Sequence, residues 1–220
     1  IGQATVSLLE AAGHEVFTTA RDPSKITPDA VLDATDFEAV ERVFQQAGAI
    51  AGVVNCSGSL LLKAAHLTSK AQYQATIDAS LTTAFATVRA AGKYMKNGGS
   101  VVLVSSAAAM TGLANHEAIA AAKAGIIGLP LSAAASYAGN NLRFNAVAPG
   151  LTETPLTQSL TANASARQLS EAMHPLGRLG QPADIARAIV FLLDPANSWI
   201  TGQVLAVDGG LSRVRPRMKG

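Results

Sequence analysis

Short apolar runs recur along this chain, and from the second run onward each is separated from the next by a stretch with helical periodicity. The runs lie at 15–19, 30–33, 51–55, 100–104, 142–147 and 203–207, and the helical patterns at about 36–47, 68–96, 115–138 and 182–193. A strand that is apolar throughout is buried on both faces, and an intervening helix returns the chain to the same end of the sheet. Such crossovers are right-handed, so the pattern predicts an α/β fold with a doubly wound parallel sheet. With 220 residues the chain suits one domain with a full core. The polar, irregular stretch 151–181 reads as a lid segment over a site within that single domain, 1–220.

The beginning is unusual. Residues 1–12 read as a helix that runs through Gly13 into the strand-like Val16–Thr19. A helix leading into a strand leaves a parallel sheet without its first strand, so residues preceding Ile1 are expected.

Composition narrows the function classes. The chain is 49% hydrophobic and 15% charged, with a net charge of +2. Arg213, Arg215, Arg217 and Lys219 cluster at the end, and without them the body is near neutral. That leaves no nucleic-acid footprint, and the tail itself reads as a solvated terminus. Cys56 is the only cysteine, so an intrachain disulfide or a cysteine-based zinc site is excluded, and no spacing of side chains suggests a metal. No apolar run reaches the ~20 residues of a membrane span, and no signal-peptide pattern is visible. A cytoplasmic protein without a membrane partner is the expectation.

Several segments, in order and together spanning nearly the whole chain, carry a resemblance. Ile1-Gly2 looks like the end of a glycine-rich turn. Val53-Val54-Asn55-Cys56-Ser57-Gly58 is similar to an Asn-Asn-Ala-Gly motif. Ser105-Ser106 is followed by a helical stretch through Lys123. Asn145-Ala-Val-Ala-Pro149-Gly150-Leu-Thr152-Glu-Thr154, His174-Pro-Leu-Gly-Arg178 and Ile200 to Gly210 complete the series. The chain resembles the short-chain dehydrogenase/reductase family, and the resemblance implies a Rossmann-like fold that binds a nicotinamide dinucleotide. It implies that Gly2 lies at the pyrophosphate, with backbone N–H groups of a helix N-terminus approaching it. Gly58 would pack beside the adenosine ribose, with Asn55 fixing the backbone around it. Pro149, Gly150, Thr152 and Thr154 would hold the nicotinamide carboxamide, and Asp33 would sit beside the adenine ring. Asp33 also reads as an N-cap for the helix near 36–47.

Cofactor choice turns on the residue after the strand at 15–19. An acidic side chain there hydrogen-bonds the ribose of NAD and repels a 2′-phosphate. Here the chain reads Thr18-Thr19-Ala20-Arg21. A guanidinium suits a phosphate by charge and by its fork of donors, which favours NADP(H). If Arg21 only stacks on adenine or faces water, NAD(H) stays usable.

The catalytic pattern is where this chain departs from the family. The resemblance implies a Ser that polarises the substrate carbonyl, a Tyr that gives the proton, a Lys four residues later that holds the nicotinamide ribose, and an Asn that supports a water. Ser106 and Lys123 fall in register. Ile119 occupies the Tyr position and Ser80 the Asn position. His116 is the candidate to replace the Tyr. At 3.6 residues per turn, 116, 119 and 123 share a helical face, and a neutral imidazole can donate to a carbonyl or act through water. Its bland alternative is a first-turn residue beside an Asn115 cap. His174 reads as a loop residue with a local hydrogen bond or as a lining of the substrate entrance, and His14 and His66 read as surface.

Two functional expectations follow: an NAD(P)(H)-dependent oxidoreductase that reduces a carbonyl or oxidises an alcohol with the altered set Ser80, Ser106, His116 and Lys123, or a cofactor-binding pseudoenzyme. Met110, Leu113 and Ala114 suggest a medium-sized, partly apolar small-molecule substrate. No basic cluster marks a phosphorylated one, although the basic tail contributes if it folds back. The helices at 68–96 and 115–138 are rich in small residues, more than one buried face would use. With the resemblance, this implies a homotetramer with a second contact near Trp199 and the strand 203–207.

Overall fold

The computed structural model describes residues 1–24 and 26–216. The predicted alternation is present. Strands β1 (Thr19–Ala20), β2 (Ala30–Val31), β3 (Gly52–Asn55), β4 (Gly99–Val104), β5 (Leu142–Pro149) and β6 (Val204–Val207) alternate with helices α1 (Gly2–Ala11), α2 (Phe37–Ala47), α3 (Lys70–Ile77), α4 (Thr83–Tyr94), α5 (Glu117–Tyr137), α6 (Ala164–Met173) and α7 (Pro182–Leu193). Every strand pairing is parallel, which is the Rossmann-like α/β arrangement. The ladder comes in two pieces: β3-β4-β5-β6 form one sheet and β1-β2 a short pair beside it.

The centre of the larger sheet sets the layers. β4 and β5 pair from Gly99↔Leu142 to Val104↔Val147, and almost every residue of both is buried. Alternate side chains go to opposite faces. Val101, Leu103, Phe144 and Ala146 pack with α2, α4 and α5. Val102, Val104 and Val147 pack with Ile185, Ile189 and Leu192 of α7. The four-stranded sheet is thus sandwiched between helices, and its loops project at the carboxyl ends of the strands, where open α/β sheets bind ligands.

Local differences from the sequence expectations have physical causes. The strand expected at 15–19 is reduced to Thr19–Ala20, which among the described residues pairs with β2 alone and over two positions. The helix expected at 68–96 begins after a Ser69–Gln72 capping box and is interrupted by a π-helical segment, Asp78–Thr82. The stretch 151–181 is not irregular throughout, since Asn163 caps α6 by accepting from the Ala166 amide. Asp36, not Asp33, caps α2, its carboxylate accepting the Ala39 amide at 2.9 Å. Asp33 instead closes a turn onto the amide and hydroxyl of Thr35.

The expectation that no stretch is long and apolar enough for a membrane also needs correcting. The helix over 117–140 passes on length and composition, with a hydropathy of 1.6. Ala118, Ile119, Ala122, Ile126, Ala133 and Ala134 of this helix are buried, with Lys123 among them, as befits a core helix. The charged end of the chain is partly outside the described residues: Arg217 and Lys219 fall there, while Arg213 and Arg215 are described.

Candidate active site

Lys123 anchors the site. It lies in the buried face of α5, and its ammonium donates to the Val104 carbonyl at the end of β4, at 2.8 Å. Ser105 fastens the same two elements, its hydroxyl donating to the Lys123 carbonyl at 2.8 Å. Burial lowers the Lys123 pKa to about 8, with Cys56 acting weakly in the opposite sense. An ammonium has three donors, and Val104 takes one. On the far side lies Gly58, where an added Cβ would sit 3.2 Å from Nζ and 3.9 Å from the Ser80 hydroxyl. A side chain at position 58 would therefore crowd the ammonium.

Ser80 sits in the π segment with its side chain wholly buried, and its hydroxyl has no hydrogen-bond partner among the described residues; the Ser59 hydroxyl is in the same state. Single π turns inside α-helices occur often at functional sites. Buried hydroxyls without partners beside a half-committed ammonium form a polar recess that a polar ligand or a water would complete.

Ser106 leaves β4 in an extended conformation and opens a short 3-10 turn. Its oxygen accepts the Ala108 amide at 3.1 Å. That bond uses a lone pair and leaves the hydroxyl proton free to donate. His116 stands at the N-cap of α5 with φ −106° and ψ 9°, outside the helical turns. Asn115 is not a cap; it takes a left-handed φ of 62°. His116 Nδ1 lies 2.8 Å from the Ala114 carbonyl oxygen, which only a protonated Nδ1 can satisfy. With that proton on Nδ1, the neutral ring presents Nε2 as an acceptor, and a donor at Nε2 requires the imidazolium. Ile119 is buried at 4% exposure.

The expected cofactor residues are distributed along the carboxyl ends of the strands. Gly2, at the start of α1, faces the end of β3: its added Cβ would sit 3.6 Å from Cys56 Cβ. Asn55 is buried, its amide donating to the Thr83 carbonyl and Thr87 hydroxyl while its oxygen accepts the Ser57 amide. It fixes the backbone leading to Gly58, as expected. Arg21 is exposed and close enough to Asp33 to help hold that carboxyl below its ordinary range, after the larger effect of Thr35. Gly150 follows the buried Pro149, and any Cβ on it would come within 2.8 Å of His174 and 2.9 Å of Asp208. Thr152 is buried, and the Thr154 amide donates to Thr157 at 3.1 Å.

His174 makes the local hydrogen bond expected of it and a second, non-local one that was not expected. It is 4% exposed, and it bridges the lid and the Pro-Gly turn. Nδ1 lies 2.7 Å from the Ser170 carbonyl of α6, and Nε2 accepts the Leu151 amide at 3.2 Å. Glu153 adds a second tie, pairing with Arg167 of α6 and with Gln181. Ser170 is one helical turn before His174, whereas Leu151 and the partners of Glu153 come from farther along the chain, where no spacing rule signals them. Among the described residues, no group of three acidic, His or Cys side chains is placed to hold a metal ion.

The family model described as enoyl-(acyl carrier protein) reductase matches residues 1–212. The chain belongs to the short-chain dehydrogenase/reductase family. It is 39% identical over 199 residues to the 3-oxoacyl-(acyl-carrier-protein) reductase of Thermotoga maritima, covering 86% of this chain and 78% of that one. It is 35% identical over 233 residues to the cis-4-hydroxycyclohexanecarboxylate dehydrogenase of Sinomonas cyclohexanicum, covering 97% and 93%. Among solved structures, ElxO with NADP bound superposes with a TM-score of 0.87 at 26% identity, covering 96% of this chain and 93% of that one. As a short-chain dehydrogenase/reductase the chain belongs to a family of NAD(P)-binding oxidoreductases. A nicotinamide dinucleotide fits the residues present. Gly2 and Gly58 let the backbone pass close to Cys56 and to the Lys123 ammonium, where a side chain at 58 would crowd Nζ, Lys123 has spare donors, and the Ser59 and Ser80 hydroxyls are unpartnered among the described residues.

Proposed function

We propose that this chain is an NADP(H)-preferring carbonyl reductase, and an alcohol dehydrogenase in the reverse direction, with a rearranged set of catalytic side chains. The observation that carries the reading is Lys123. A buried ammonium with one bond to Val104, and no side chain on Gly58 to crowd it, is costly to keep unless a ligand uses its remaining donors.

A reduced nicotinamide held here would supply the hydride that reduces the carbonyl carbon. Ser106 donates its free hydroxyl proton as a hydrogen bond to the carbonyl oxygen, which gathers negative charge as the carbon is reduced. His116, as imidazolium, gives the proton that turns this oxygen into the alcohol and recovers one from solvent. Lys123 holds the nicotinamide ribose, and Ser80 holds a water behind it. Arg21 takes the 2′-phosphate, Asp33 borders the adenine, Gly2 and Gly58 admit the pyrophosphate and ribose, and Pro149, Gly150, Thr152 and Thr154 frame the carboxamide. The NADP in ElxO supports the choice of cofactor. The relatives named for a 3-oxoacyl reductase and a cyclohexanol-type dehydrogenase support a carbonyl or secondary alcohol as the reacting group.

Where the family carries its proton-donating Tyr, this chain has the buried Ile119. That single residue favours a second reading, a module that binds the cofactor without turnover. NADPH oxidation against a panel of carbonyl compounds tests the two. Turnover by the unaltered protein that His116→Ala removes supports the reductase; turnover that arises only in Ile119→Tyr supports the pseudoenzyme.

The small-residue face of α5 supports assembly into a homotetramer. Ala121, Ala124, Gly128 and Leu131 are exposed there, and Trp199 is 99% exposed.

A further inference from the structure

Three hydrogen bonds fix the place from which the His116 ring projects. The Asn115 carbonyl accepts the Lys63 amide at 2.7 Å, and the His116 carbonyl accepts the Ala120 amide at 2.7 Å as α5 begins. Both peptide planes that flank the His116 Cα are thereby held. The third bond is the ring's own, from Nδ1 to the Ala114 carbonyl oxygen at 2.8 Å. That carbonyl belongs to the peptide plane before Asn115, so the φ torsion of Asn115 decides where it points relative to the ring. Its value is +62°, in the left-handed region. Turning it to the usual negative side would rotate the Ala114 carbonyl by about 120° and carry it away from Nδ1.

The residue type suits the torsion. Among the described residues, Asn115 and Asn141 are the two non-glycine residues with positive φ. Asparagine enters the left-handed region more readily than other residues that carry a Cβ, and a β-branched residue scarcely enters it. Asn115 is exposed, and its backbone conformation is what the neighbouring groups use. Lys63, which clamps its carbonyl, lies on the irregular stretch 56–64, the same stretch that carries Gly58 past the Lys123 ammonium. The clamp on Asn115 thus starts from the loop that borders the expected cofactor cleft.

Which imidazole nitrogen exchanges a proton is set by the bond that the other one makes. With Nδ1–H held by Ala114, the exchangeable proton is the one on Nε2. An imidazolium that passes this proton to the reduced carbonyl oxygen becomes the neutral Nδ1–H ring, the form that the Ala114 carbonyl already binds. We propose that Asn115 is a positioning residue for proton delivery: its left-handed backbone aims the Ala114 carbonyl at His116 Nδ1 and so assigns Nε2 to the substrate. This rests on the reductase reading, in which His116 gives the proton.

The test reads the tautomer directly. Long-range proton–nitrogen spectra of protein carrying isotope-labelled histidine, taken where the ring is neutral, show which nitrogen is protonated, and the signals missing from His116→Phe identify His116. An imidazole left to water favours Nε2–H; His116 in the unaltered protein is expected to be Nδ1–H. Asn115→Gly is free to keep the left-handed turn and is expected to keep that tautomer and the turnover. Asn115→Val is expected to shift the ring toward Nε2–H and to lower kcat for carbonyl reduction about tenfold, the scale of a left-handed penalty, with NADPH affinity unchanged. Should Asn115→Val not fold, Asn115→Ala reads the same shift with a severalfold loss. Nε2–H in the unaltered protein, an unaltered tautomer in the Val and Ala variants, or a shifted tautomer with full kcat would overturn the proposal. Equal losses in Asn115→Gly and Asn115→Val would also overturn it, because the side chain and not the backbone angle would then matter. If no carbonyl compound is turned over by any of these proteins, a tautomer shift in Asn115→Val that Asn115→Gly lacks upholds the positioning of the ring while the reductase reading falls.

Discussion

His174 joins the lid to the cofactor turn: its ring stands between the Ser170 carbonyl at 2.7 Å and the Leu151 amide at 3.2 Å. One neutral ring, protonated on Nδ1, serves both backbone groups. Its replacement by Phe keeps the volume and strands both partners. His174→Phe is expected to lower unfolding free energy by about 1–3 kcal/mol and to weaken NADPH binding severalfold, with kcat little changed. Urea unfolding and cofactor titration read the two effects, and an unaltered urea midpoint would refute the bridge.

Arg21 is expected to discriminate between cofactors. Arg21→Ala should weaken NADPH binding by roughly tenfold to a hundredfold, the worth of one charged hydrogen bond, while NADH binding barely changes. Equal losses for both cofactors would mean that the guanidinium only stacks on adenine or faces water.

His116 is expected to supply the proton as imidazolium. His116→Phe should lower kcat for carbonyl reduction by about 10²-fold or more with NADPH affinity unchanged. Full turnover in His116→Phe would assign the proton to Ser106 or water.

Lys123 makes stability depend on pH. Burial places its folded pKa near about 8, against an ordinary value of 10.5. Between these values the unfolded chain binds more protons at this residue than the folded one, so stability should rise as pH increases from about 8 to 10.5. Below about 8 both states hold the proton and the contribution is flat. Thermal melts across that window should show the rise against a Lys123→Met background, in which this part is absent. In the same window NADPH affinity should fall, because the ammonium loses its charge. Parallel stability curves for the two proteins would refute the assignment.

Oligomerisation is expected from the exposed Ala121, Ala124, Gly128 and Leu131 of α5. Light scattering at micromolar concentration should give a species near four times the 22.4 kDa chain. A single species at the mass of one chain would refute it. Ala124→Glu should shift the distribution toward smaller species while leaving the chain folded.

The site residues that sequence reasoning found are those on short motifs at strand ends. Asn55, Gly58, Ser106, Lys123 and the Pro149-Gly150 turn each follow an apolar run or sit at a fixed offset from one, so their place in the fold can be read from their place in the chain. Residues joined only by tertiary structure were not legible in this way. His174 meets the Leu151 amide, 23 residues before it in the chain. Arg143 is buried and donates to the carbonyls of Leu192, Leu193, Asp194 and Ile200, and nothing about Leu142-Arg143-Phe144 announces that role. The choice of Asp36 over Asp33 as the cap is equally hidden, since either fits the pattern and the backbone angle decides. The helix break at Asp78–Thr82 leaves no mark, because a π turn shifts the apolar rhythm by a single residue.

That break has a geometric consequence. An α-helix advances about 100° per residue, and a π turn accommodates one residue beyond the α-helical path. The surplus residue rotates everything before it relative to everything after. Ser69, Gln72 and Thr76 therefore present a face that an unbroken helix would have turned elsewhere, while Thr83 and Thr87 still meet Asn55. Deleting one residue from 78–82 would erase the offset, and α3 and α4 could not both keep their present faces. The number of residues across 78–82, and not only their identity, sets which faces α3 and α4 present.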